Sequence, residues 1–238
     1  EVAGGGARAE EQGREGRGVG RGAGLGEEGV SHRAEEALPE GGGCQVGSVD
    51  LAEVVAEPFV SSAAFDLDGF EQCGRECGRA LNEVLDEGMP LHPLEEQRES
   101  VRDWRQIGLG IMGLADMLIK MGLPYGDAES QELCDRIGFA MADTAIAASA
   151  VLAKEQGMFP KCDINAVMET PYFEANTSAP TKELVKKYGL HNSQLLTIAP
   201  TGTLATMLGI SGGIEPVFAN YYVRKTESLH GKDVYYKV

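Results

Sequence analysis

The chain has 238 residues, 42% hydrophobic and 24% charged, enough to bury one sizeable core or two small ones. Its net charge of −16, with acidic residues spread along its length and no long basic run, speaks against a nucleic-acid partner. The low-charge stretch Thr144 to Ala153 is too short to span a bilayer, so no membrane partner is expected; five cysteines, an odd count, point to a reducing, cytoplasmic setting.

Residues 1–43 hold 14 of the 32 glycines and no aromatic residue, so they bury too little apolar surface to offset the entropy of ordering. Residues 1–30 are read as a disordered Gly/Arg/Glu-rich leader and 31–238 as one domain. The start, Glu1-Val2-Ala3-Gly4-Gly5-Gly6, has no initiating Met and no apolar signal core, which reads as a fragment rather than a secreted protein. From Cys44 the pattern becomes strand-like, with Cys44, Val46, Ser48 and Asp50 alternating against Gln45, Gly47, Val49 and Leu51. Asp66 to Glu87 reads as an amphipathic helix capped by Asp66 or Asp68, its apolar stripe formed by Phe70, Cys73, Cys77, Leu81, Val84 and Leu85. Glu95 to Met121 reads as a second helical region closed by Gly122 and Pro124. Ala128 to Gln156 is a third helix, Ala-rich in its middle and stopped by Gly157. Short helices are expected over Asp163 to Glu169 and over Pro180 to Tyr188, the latter with proline at its first position. Strands are expected at Leu195 to Ala199, Val217 to Lys225 and Val234 to Val238, giving a helix-rich α/β chain.

The segment Gln194-Leu195-Leu196-Thr197-Ile198 followed by Ala199-Pro200-Thr201-Gly202-Thr203 carries the strongest chemical signal. An apolar strand delivers a turn with two hydroxyls to a short helix built on Leu204, Met207 and Leu208, where N–H groups and the helix dipole suit an anion. Ser211-Gly212-Gly213-Ile214-Glu215-Pro216 follows closely. An ordinary strand-to-helix turn is the competing reading. Gly108-Leu109-Gly110-Ile111-Met112-Gly113 matches a dinucleotide fingerprint, but the charged, helical-period residues before it are not the strand such a turn requires. Small residues for close helix packing are the preferred reading. Cys73 and Cys77, four apart, share one helix face and read as core, as do Cys134 and Cys162, and no metal site is expected. Cys44, after three glycines, has the flexible approach that thiol chemistry requires. His32, His92, His191 and His230 lack metal spacing and read as surface or capping residues, and Arg224, Lys225 and Lys232 as a solvated strand face.

Taken together, Cys44 to Leu51, Leu81 to Asp86, Arg105 to Asp116, Ile198 to Thr203 and Gly212 to Ala219 resemble the catalytic subunit of ribonucleotide reductase, over about Leu38 to Val238. The resemblance implies the second half of a ten-stranded α/β barrel and a radical reduction of ribonucleotides to deoxyribonucleotides. In that family a thiyl radical takes the ribose 3′ hydrogen, a glutamate acts as base toward the 3′ hydroxyl, and a cysteine pair supplies electrons. Carried over, Pro200, Thr201, Gly202 and Thr203 hold substrate phosphates, Cys44 is one member of the redox pair, Glu35 is the base, and Ser31 stands where an asparagine orients the substrate. Arg33 occupies the position of the thiyl cysteine, and a guanidinium cannot form that radical, so the isolated chain is expected to be inactive. The radical source implied is adenosylcobalamin, which the Ala-Pro-Thr-Gly-Thr turn and Arg105 to Asp116 favour, or a metal-containing small subunit; no residue here is expected to bind either. A thioredoxin-like reductant and a homodimer are also implied. Two other readings remain at this point: a non-catalytic remnant keeping a nucleotide-phosphate pocket, supported by Arg33, and a nicotinamide-dependent dehydrogenase built on Gly108–Gly113, which requires a strand ending just before Gly108.

Overall fold

A computed structural model describes residues 29–30, 37–38, 42–217, 219–221, 223–226 and 234–237. The expected leader falls outside them except at its end, where β1 (Gly29–Val30) pairs antiparallel with β2 (Ala37–Leu38). Then follow β3 (Gln45–Asp50), the antiparallel pair β4 (Val55–Ala56) and β5 (Ala64–Phe65), α1 (Leu67–Gly88), α2 (Glu95–Trp104), β6 (Ile107–Met112), α3 (Leu114–Met121) and α4 (Ala128–Gln156). The remainder is α5 (Ile164–Met168), α6 (Pro171–Asn176), α7 (Ala179–Tyr188), α8 (Gly202–Leu208) and the antiparallel pair β7 (Val223–Thr226) and β8 (Val234–Lys237).

The functional end of the molecule is set by a parallel layer. β3 pairs with β6 from Gln45↔Ile107 to Asp50↔Met112, and the next segment joins the far edge of β6. There the Leu109 N–H donates to the Leu195 carbonyl at 2.8 Å and the Thr197 N–H to the Leu109 carbonyl at 3.1 Å. The expected strand at 195–199 is thus extended chain beside β6, joined by a parallel bridge between Leu109 and Leu196. All six residues of β6 are buried, as befits a central strand.

This central strand overturns the helix expected across 95–121. Arg105, at φ 46°, turns the chain out of α2 in the left-handed region, and Ile107, Leu109 and Ile111 then alternate with glycines at strand spacing. The apolar set faces the helices. Gly110 has another reason to be glycine: a Cβ there would lie 2.8 Å from the Thr197 carbonyl oxygen and 3.2 Å from Ser48 Oγ. Gly108–Gly113 therefore serves strand packing rather than helix packing, and the dehydrogenase reading also fails, because the strand runs through the glycines instead of ending before them.

Helices cover one side of this layer. Asp66 caps α1, accepting the Gly69 N–H at 3.0 Å, and Phe70, Cys73, Cys77, Leu81 and Leu85 turn inward as expected. Val84, placed on the same stripe by sequence, is instead exposed, one residue off the inward line. α4 follows its expected span, and its small residues allow close approach: a Cβ at Gly74 of α1 would meet the Thr144 methyl at 3.6 Å. By length and composition α4 is apolar enough to cross a membrane, which the reading from Thr144–Ala153 missed; 61% of that apolar window is buried inside the fold, the behaviour of a core helix. Behind it α7, which starts at Ala179 with Pro180 second, closes a core of Ile146, Ala150, Phe159, Phe173, Val185 and Leu190. α6 was not expected from sequence; Thr170 caps it, accepting the Phe173 N–H.

A buried polar network ties the layer to the helices. Asn192 Nδ2 donates to Asn82 Oδ1 at 2.7 Å and to the Arg105 carbonyl at 2.8 Å, while Ser149 Oγ donates to Asn192 Oδ1 at 3.1 Å. Arg105 in turn holds Asp86 through two contacts of 2.6 and 3.0 Å. His191, read as a surface or capping residue, is buried in this network: Nδ1–H donates to the Gly157 carbonyl at 2.6 Å and Nε2 has no partner among the described residues. Burial lowers its pKa below the ordinary value, with Arg105 adding to the effect and the Gly157 bond and Asp86 opposing it. The unfolded chain therefore binds a proton that the folded chain resists, and stability falls as pH drops through about 6.5. The urea midpoint is expected to decrease between about pH 7.5 and about pH 5.5, and His191→Asn, which keeps a donor toward Gly157, should flatten that decrease. An unchanged pH slope in the variant would exclude His191 as its source.

Candidate functional site

The C-terminal ends of the parallel strands converge on one turn and one loop. Past Thr197 the chain reaches Pro200, and Thr201 adopts φ 48°, a left-handed conformation that a β-branched residue holds only under constraint. The constraint is visible. Thr201 Oγ1 accepts the Gly213 N–H at 2.9 Å, so its hydroxyl is committed to the 211–213 loop and does not cap α8. α8 begins at the next residue, as the spacing of Leu204, Met207 and Leu208 predicts, and its first residues Gly202 and Thr203 are exposed.

The loop is pinned from four sides. Ser211 N–H donates to Asp116 Oδ2 at 2.7 Å, Gly113 N–H to the Ser211 carbonyl at 2.9 Å, and Tyr125 OH to the Ile214 carbonyl at 2.6 Å, with Thr201 as the fourth anchor. Two glycines make the close approach feasible: a Cβ at Gly212 would stand 2.7 Å from the Pro200 carbonyl, and Gly213, at φ 49°, faces the Ala199 carbonyl. Gly113, at φ 72°, ends β6 beneath this loop, with the Asp50 carboxylate 2.7 Å from where its Cβ would be. Asp50 itself accepts the Ala52 N–H, and burial raises its pKa. Ser48 Oγ and Ser211 Oγ are buried without a partner among the described residues. The result is a rigid, glycine-lined platform of backbone groups and hydroxyls, the kind of surface on which a phosphate is held by geometry rather than by cationic side chains.

Pro200, Thr201, Gly202 and Thr203 are thus brought together with Ser211–Gly213. Cys44 is not part of that cluster. It precedes β3 at the opposite end of the layer, six residues from Asp50, which is about 20 Å at ~3.3 Å per residue. Strand alternation puts it on the side of Val46 and Ser48, away from α1, whose Leu81 side chain packs on Gly47. Glu35 and Ser31, together with Arg33, lie outside the described residues, as do the side chains of Arg224, Lys225 and Lys232. The anchoring roles of Asp116, Tyr125 and Gly113 were not found from sequence. Only the glycine at the end of an apolar run followed by a helical period offered a signal, and the contacts of Asp116 and Tyr125 span some ninety residues. Among the described residues no group of three or more His, Cys, Asp or Glu gathers as a metal site.

The family described as ribonucleotide reductase, barrel domain, matches residues 27–237. A vitamin B12-dependent ribonucleoside-diphosphate reductase of Thermoplasma acidophilum is 34% identical over 191 residues, which is 80% of this chain and 22% of the relative. One of the same name from Mycobacterium tuberculosis is 33% identical over 79% of this chain and 24% of the relative. A ribonucleoside-diphosphate reductase subunit alpha of Chlamydia pneumoniae is 28% identical over 78% of this chain and 19% of the relative. The chain spans about a quarter or less of the length of these curated relatives.

Proposed function

We propose, from the premise that this chain belongs to the ribonucleotide reductase barrel family, that it supplies the phosphate-holding part of a ribonucleotide site and one thiol of the electron-donating pair. The observation that carries the reading is the convergence of Pro200–Thr203 and Ser211–Gly213 at the C-terminal ends of three parallel chain segments. Ligands of α/β layers sit at that end. The β-phosphate of a ribonucleoside diphosphate is taken by the Thr203 hydroxyl and the exposed start of α8, with Thr201 holding the platform through Gly213. The sugar then extends over the side of the layer that carries Ser48 and Cys44, the side not covered by α1.

In this reading Cys44 is oxidised to a disulfide with a thiol from the part of the barrel outside this chain, and a thioredoxin-like protein reduces it again. Glu35 is the base toward the 3′ hydroxyl, and Ser31 takes the role of the residue that orients the sugar. Two relatives are named as vitamin B12-dependent, which favours adenosylcobalamin over a metal-containing small subunit as the radical source. A di-metal centre needs a cluster of His and carboxylate ligands, and among the described residues no group of three or more His, Cys, Asp or Glu gathers. Arg33 cannot carry a thiyl radical, and by itself the chain turns over no ribonucleotide; the work belongs in the cytoplasm, in a homodimer of the complete catalytic subunit.

The test is calorimetric titration of the chain with a ribonucleoside diphosphate and, separately, with the nucleoside lacking phosphates. The diphosphate is expected to bind and the nucleoside not, with Thr203→Val weakening binding about tenfold, the loss of one hydrogen bond to a charged group. Equal affinity for both compounds would refute the phosphate assignment.

A further inference from the structure

Cys73 and Cys77 take no part in that chemistry, yet their Sγ atoms lie 3.8 Å apart, one turn from each other on α1. Both are partly buried at the rim of the main core, on the stripe that continues through Leu81 to Gly47 of β3. A disulfide does not suit this spacing. Side chains four apart on a helix have Cβ atoms about 5–6 Å apart, whereas a disulfide draws them to about 3.5–4.5 Å, so the helix would have to deform. A metal ion bridging the two sulfurs makes no such demand. Two thiolates bound tetrahedrally at ~2.3 Å stand ~3.8 Å from each other, the separation the pair already has.

We propose that Cys73 and Cys77 form a two-thiolate site for a soft, thiophilic d10 metal ion, with solvent filling the remaining coordination positions. Binding forms two metal–sulfur bonds and breaks two S–H bonds; both protons pass to water and no electron is transferred. Burial and the neighbouring Cys73 push the Cys77 thiol up to about 11. Cys134, on α4, and Cys162, in the loop before α5, are also raised by burial, and among the described residues neither bonds a second thiol. With two protein ligands instead of four, the site is an exchangeable one and not a structural staple.

The probe is cadmium(II), titrated into the reduced full chain while the ultraviolet thiolate-to-cadmium absorbance is read. The band is expected to saturate at one ion per chain, to be lost in Cys73→Ser and in Cys77→Ser, and to persist in Cys44→Ser, Cys134→Ser and Cys162→Ser. Circular dichroism of the serine variants, near-isosteric with the parent, should retain its helical signal, which separates loss of the site from loss of the fold. A band that survives the double substitution, the absence of any band, or saturation at one ion per two chains would each overturn the assignment.

Discussion

Asn192→Leu is expected to destabilise the chain by about 2–5 kcal/mol, the cost of leaving two or more buried polar groups without partners. Asn192 is 1% exposed and satisfies Asn82 Oδ1, the Arg105 carbonyl and Ser149 Oγ at once. Leucine fills a similar volume, so the loss is of hydrogen bonds rather than of packing. It also frees the left-handed turn at Arg105, which is what ends α2 and starts β6. The single tryptophan, Trp104, adjoins that turn and packs on the second core, and so reports the transition. Urea titration followed by its fluorescence is the measurement. A loss below about 1 kcal/mol would mean that the network contributes little beyond what water supplies in the unfolded chain.

Gly113→Ala is expected to weaken both the fold and ribonucleotide binding. At φ 72° a Cβ costs about 1–2 kcal/mol by itself, and here it would also press on the Asp50 carboxylate at 2.7 Å, a contact that cannot be kept. Relieving it moves either Asp50, which caps the turn after β3, or the Gly113 N–H that holds the Ser211 carbonyl. The second movement loosens the loop that fixes Thr201. Gly122→Ala is the control, because Gly122 has the same backbone conformation at φ 70° and open space around it. We expect Gly122→Ala to cost only the backbone strain and to leave diphosphate affinity unchanged, whereas Gly113→Ala costs about 1 kcal/mol more and lowers affinity about tenfold. Equal effects of the two on binding would show that the loop does not depend on Gly113.

The contrast between these positions explains what could be read from sequence. α1, α4 and α8 were legible because local rules specify them: an aspartate cap before an amphipathic run, a glycine stop after a long alanine-rich period, a turn before three spaced apolar residues. β6 was not. Its alternation of Ile107, Leu109 and Ile111 with glycines is a weak strand signal between a charged helix and an apolar one, and what makes these residues a strand is pairing with β3, some sixty residues away, and with the 194–197 segment, nearly ninety away. His191 was misplaced for a related reason, since its burial comes from contacts with Ser149 and Gly157 that no short window contains. The turn at Pro200–Thr203 was found because hydroxyls and glycines after an apolar strand are a short-range pattern. The anchors of the neighbouring 211–214 loop at Asp116 and Tyr125 were not, being tertiary.

The function proposed for this chain requires that the Pro200–Thr203 turn take the phosphate of a ribonucleotide. Amide chemical shifts of the isotopically labelled chain, followed during titration with a ribonucleoside diphosphate, address it directly. The largest shifts are expected at Gly202, Thr203, Gly212 and Gly213, with inorganic phosphate moving the same amides more weakly. Shifts that avoid these residues, or that cluster instead on β3 and α1, would contradict the assignment of the phosphate site.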